Sequence, residues 1–153
     1  MKTNKEKIDA IIEILQESTA NYNGLKSEIV RLYKHMIKCI YQPELHTDSW
    51  DKTINNAYTE ITGFINKSHY NKLINDFDSL YRKALQEANK ETNSRDNERR
   101  VDVFKEDAEV ERSVKDIYPL SSILSEDFLK VFYSDERTKS QSPLFYSGRY
   151  RKV

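Results

Sequence analysis

Over much of this chain apolar positions recur at intervals of three and four, the period at which side chains share one face of a helix. Ile8, Ile11, Ile12 and Leu15 open the pattern. Ahead of them Thr3 and Glu6 stand at the spacing of a capping box, so a first helix is expected to about residue 19. Asn21, Asn23 and Gly24 then read as a stop, because Asn and Gly tolerate the left-handed backbone that ends helices. Leu25, Ile29, Leu32, Met36 and Ile40 form the stripe of a second helix, widened by Tyr33 and Ile37 and broken by Pro43. Asp48 or Ser49 offers a new N-cap, and Trp50, Ile54, Ala57, Tyr58, Ile61, Phe64 and Ile65 repeat through a third helix. A fourth carries Tyr70, Leu73, Ile74, Phe77, Leu80, Tyr81, Ala84, Leu85 and Ala88 and ends near Thr92.

Four such stripes joined by short connections predict an all-α fold, an antiparallel bundle, since each apolar face needs a neighbour to leave water. Residues 93–116 depart from the pattern. Of these 24 residues 14 are charged, and Val101, Val103, Phe104, Val110 and Val114 are too sparse to define a broad face. The segment reads as a mobile or partly helical excursion. Beyond it Pro119 can start a short helix with Leu120, Ile123 and Leu124, and Phe128, Leu129, Phe132 and Tyr133 mark another that packs on the bundle. Residues 1–133 therefore make one domain, followed by a basic, aromatic tail over 134–153.

Composition narrows the function. A chain of 153 residues is the size of one domain, and three Gly and three Pro leave few tight turns for strands. The 25 basic and 25 acidic residues balance, so no overall field draws the molecule to nucleic acid or to an anionic membrane. The one asymmetry is local: residues 137–153 hold five basic residues and no acidic ones. Without a run of about 20 apolar residues or a cleavable leader, the expected location is the cytoplasm.

Residues 35–50 concentrate the candidate chemistry. Cys39 is the single cysteine, which excludes an intramolecular disulfide. His35 and Cys39 share a helical face, and His46 can fold back after Pro43, yet zinc wants four soft or borderline ligands and a catalytic zinc at least three. Cys39 also adjoins the core positions Met36 and Ile40, where a small buried thiol is the ordinary occupant, so no metal and no cofactor is expected. A nucleophilic Cys39 would need an exposed thiolate and an oxyanion site. Glu44, Asp48 and Asp51 read as acids drawn to a helix start, and Gly24, Gly63 and Gly148 are too scattered for a phosphate loop. An enzyme built on His35, Lys38, Tyr41 and Glu91 lacks a nucleophile, base and orienting group, so no catalytic residues are expected. The stretch reads as a corner, with His35, Lys38 and Gln42 lining one face and bonding across the bundle to Glu91.

The same residues carry a family resemblance. His35, Lys38, Tyr41, Gln42, Pro43 and Glu44, followed by Ser49, Trp50, Thr53 and Ile54, resemble the signature of a bacterial helical family, the domain of unknown function twenty-nine. Glu60, Ile61, Tyr81, Ala84, Ala88, Glu91, Thr92, Tyr118, Pro119 and the segment 123–129 continue it, over about residues 25–130. Cys39 departs from it, standing where the family usually has Trp. The resemblance implies a helical bundle and no established reaction.

With no catalytic constellation in view, the sequence is read as a protein-binding module, of the antitoxin or immunity type that neutralises a toxin by covering it. Phe145, Tyr146, Arg149, Tyr150 and Arg151 are the expected partner contacts, because aromatic and Arg side chains dominate interface energetics. The alternative is a nucleic-acid-associated protein in which the same tail pairs phosphates and stacks bases. A homodimer would equally cover an exposed stripe.

Overall fold

The computed structural model describes residues 3–93, 102–110 and 113–139. Among them every regular element is helical. Three long helices, α1 (Asn4–Tyr41), α2 (Asp48–Phe64) and α3 (Lys67–Asn93), are followed by five short ones, α4 (Val103–Glu109), α5 (Val114–Ile117), α6 (Leu120–Ile123), α7 (Phe128–Tyr133) and α8 (Glu136–Lys139). The all-helical bundle expected from the periodicity is therefore the fold.

One expected boundary is absent. The stop at residues 21–24 does not exist, and the first two expected helices are a single helix of 38 residues. Gly24 costs a helix interior only about 1 kcal/mol relative to Ala, and the packing around it outweighs that. Leu25 is buried beside it, and Tyr22 is buried with its hydroxyl donating to Asp76 Oδ2 at 2.6 Å and its ring stacked on His69. The apolar register also runs through the segment without a slip. Ile8, Ile11, Leu15, Ser18, Tyr22, Leu25, Ile29, Leu32, Met36 and Cys39 follow one another by alternate steps of three and four.

α1 is the central rod, packed against both α2 and α3. Its start is capped as the sequence foretells, with Glu6 N donating to Thr3 Oγ1 and Thr3 N to the Glu6 carboxylate. Its end is set by Pro43, which opens a 3₁₀ turn, Pro43–Leu45. α2 then starts one residue earlier than expected, with Thr47 as N-cap, and returns antiparallel along α1. α3 runs in the direction of α1, since Tyr22 meets its start at His69 while Lys38 meets its end at Glu91.

The charged segment after α3 is helical where it is described. Asp102 caps α4 by accepting from Lys105 N, and Val103, Asp107 and Val114 are buried. Tyrosines tie this half of the chain to α1 and α2: Tyr33 of α1 donates to the Tyr118 carbonyl at 2.6 Å, and Tyr58 of α2 to that of Ser125 at 3.0 Å. Pro119 caps α6, and Phe128, Phe132 and Tyr133 of α7 are buried in a run of ring contacts with Tyr118. Packing continues past Tyr133. Thr138 is buried, and Asp135 accepts from the Tyr118 hydroxyl at 2.6 Å and from Arg137 at 2.8 Å.

Candidate functional site

Two features carry chemistry or recognition: a buried polar corner where α1 meets α2, and the N-terminal arm of α1.

The corner is built by the turn itself. Cys39 lies one turn from the end of α1, His46 follows the 3₁₀ turn, and Asp51 stands in the first turns of α2, so the reversal brings three polar side chains together. All three are buried. His46 Nε2 is 2.5 Å from Asp51 Oδ1 and 3.6 Å from Cys39 Sγ. Burial pushes the Cys39 thiol well above its ordinary range, and the Asp51 carboxylate pushes it further. The thiol is therefore protonated in the folded protein, and being shut from solvent it offers no thiolate for nucleophilic attack. Trp50 closes the corner, stacked on the His46 ring at 5.8 Å, with Lys38 Nζ 4.6 Å from its ring centroid.

The residues expected to bind across the bundle divide. Lys38 reaches Glu91 at 3.7 Å, and Lys34 joins the same carboxylate at 3.1 Å. His35 turns instead to its own helix, donating from Nδ1 to the Arg31 carbonyl at 2.9 Å. Burial lowers its pKa to about 4, assisted by Lys38 and Lys34. Gln42 is fully buried, and neither atom of its side-chain amide has a partner among the described residues. Tyr41 points elsewhere, to Asp107 of α4. His35, Lys38, Tyr41 and Glu91 thus do not converge.

Sequence reasoning set His35 and a folded-back His46 beside Cys39; the structure keeps His46, brings in Asp51 and turns His35 to its own helix. The signal for the second lay in the corner: a Pro-initiated turn of three residues returns the chain within reach of the last turn of α1. The first-turn position of Asp51, read as a dipole effect, concealed the other half. Phe145, Tyr146, Arg149, Tyr150 and Arg151, the expected partner contacts, lie outside the described residues.

The arm is residues 4–20 of α1. It projects beyond the level at which α2 ends and α3 begins, marked by Phe64 against Gly24 and by His69 against Tyr22. At 1.5 Å per residue it extends about 25 Å. Ile8, Ile11 and Ile12 are 56, 57 and 46% exposed. Ile8 and Ile11 sit on the seam whose later members, from Tyr22 to Cys39, are all buried, and Ile12 lies beside it. At the base of the arm a shallow groove between α1 and α2 is lined by Asn21, Gly24, Leu25, Glu28, Glu60 and Phe64, and Phe64 is itself exposed.

No helix among the described residues is long and apolar enough to cross a membrane. Neither a curated protein nor a solved structure matches the chain. The family model for the domain of unknown function DUF29 matches residues 4–129, which takes in the arm, the corner and most of the short helices. The chain is thus a member of the DUF29 family.

Proposed function

We propose that this protein is a non-enzymatic binding module that takes an amphipathic helix of another protein against its N-terminal arm. The observation that carries this reading is the seam of α1. Where α2 and α3 flank it the seam is buried, and where they stop it continues in register as Ile8 and Ile11, widened by Ile12, in solvent. A contiguous apolar stripe on a helix is a surface that seeks cover, and what fits it is a helix presenting apolar residues at i, i+3, i+4 and i+7. Two copies of the arm alone would cover three half-exposed isoleucines each, short of the roughly 800 Å² per side of a stable interface. A larger partner that also fills the groove at Phe64 meets that requirement better. A toxin held by an antitoxin or immunity protein is the partner class favoured from the sequence, and the nucleic-acid alternative stays with the tail.

A photo-crosslinking residue placed at position 11 in the native cell tests this. The expected product joins the arm to a helix of a different protein, which, once purified, binds the wild-type chain and not the Ile8→Glu/Ile11→Glu variant. Crosslinks confined to a second copy of the chain, or a partner bound equally by the variant, would overturn the reading.

A further inference from the structure

We propose that Cys39, His46 and Asp51 form a zinc site that clasps the corner between α1 and α2. The three donor atoms, a thiol sulfur, an imidazole nitrogen and a carboxylate oxygen, all lie within 4.8 Å of one another. A tetrahedral zinc with Zn–S of about 2.3 Å and Zn–N of about 2.0 Å keeps those two ligands about 3.5 Å apart. Cys39 Sγ and His46 Nε2 stand at 3.6 Å. The His46–Asp51 pair, at 2.5 Å, is closed by a hydrogen bond and must open to about 3.3 Å to admit the ion. That movement is under 1 Å.

The donor set selects the metal class. One soft thiolate, one imidazole and one carboxylate suit zinc and its tetrahedral substitutes, and not magnesium or calcium, which take oxygen ligands. On binding, the Cys39 thiol gives its proton to solvent and Nε2 of His46 coordinates, leaving the ring proton on Nδ1. A thiolate and a carboxylate then balance the two charges of the ion, so the filled site is neutral in its buried surroundings. Gln42 supplies an independent observation. Three residues on from Cys39, it is fully buried with both amide atoms unpartnered among the described residues. A buried amide left without a partner three residues along the chain from a ligand-type cysteine is what a vacant ligand position leaves behind. The Gln42 carbonyl oxygen is then the fourth ligand, which completes the tetrahedron. Because every protein ligand is buried, the site is closed and structural, with no open position for a substrate.

Cobalt(II) titration of the metal-free full-length chain is the test. The expected result is one ion per chain, intense visible bands of tetrahedral cobalt, a thiolate-to-cobalt band in the near ultraviolet, and displacement of all three by one equivalent of zinc. Cys39→Ala abolishes the thiolate band and weakens zinc binding at least a hundredfold, Asp51→Asn weakens it at least tenfold, and His35→Ala, outside the cluster, binds as wild type. The thiolate band is read on the wild-type chain, so the test does not depend on the variants folding. Absence of that band at stoichiometric cobalt, or zinc bound equally by Cys39→Ala, would overturn the proposal.

Discussion

Tyr41 and Tyr81, from different helices, donate to the same oxygen: Oδ1 of Asp107 accepts the first at 2.5 Å and the second at 2.9 Å. Val114 N adds a longer contact at 3.4 Å, so one buried carboxylate gathers the end of α1, the middle of α3, and α4 with α5. Burial and this carboxylate hold both phenols above their ordinary range, and they remain neutral donors throughout the physiological span.

Asp107→Ala is accordingly expected to cost about 3 kcal/mol, since it strands two buried hydroxyls. Tyr81→Phe removes one donor and leaves the carboxylate a partner, at about 1 kcal/mol. The Tyr41→Phe/Tyr81→Phe double variant should lose more than the sum of the singles, because among the described residues the carboxylate then keeps only the weak contact from Val114. Urea unfolding of the four proteins reads the coupling.

Gly24→Ala is expected to stabilise the protein by about 0.5–1 kcal/mol. The glycine is interior to α1, and a Cβ there meets nothing within 4 Å. Thermal unfolding checks the sign. A loss of stability would mean that the helix is not continuous through residue 24.

His35 gives the fold a pH dependence. Its folded pKa of about 4 lies below the unfolded value of about 6.5, so between the two the unfolded chain binds the extra proton. Stability from this group is complete above about pH 6.5 and falls as pH drops toward 4, by about 2 kcal/mol after allowing for its partial exposure. His35→Gln should flatten that part of the curve in urea titrations run from pH 4 to 7.

Asp135 is held below the ordinary carboxylate range: burial works against its charge, but hydrogen bonds from Arg137 and Tyr118 outweigh it. Its contribution is present at neutral pH and is lost as pH falls below about 4. Asp135→Ala should cost about 1–2 kcal/mol and speed amide exchange at Thr138, because α8 is fastened through this carboxylate.

The parts of this structure legible in the sequence are those where periodicity and burial coincide. Ile54, Ala57 and Ile61 mark α2, and Leu73, Tyr81, Ala84 and Ala88 mark α3, because a buried face repeats with the helix. What escaped was long-range or local-looking. Asn21 to Gly24 carries a strong stop signal, and the burial of Leu25 and the contacts of Tyr22 with α3, which no local reading contains, override it. Asp107 looks like one more charge in a solvated run until Tyr41, 66 residues away, is seen to donate to it. The corner was recognised through Pro43 and Trp50, with His46 folding back toward Cys39, but that Asp51 joins them depends on how a six-residue connection folds, and spacing alone does not encode that.

The continuity of α1 has a mechanical side. A helix without a break transmits load along its axis, and Ile8 and Cys39 are joined by 31 residues of one helix, about 46 Å of rod. A torque or pull applied to the arm is delivered at the corner with no hinge to absorb it. Whatever grips the free end holds a lever whose other arm is embedded in the core.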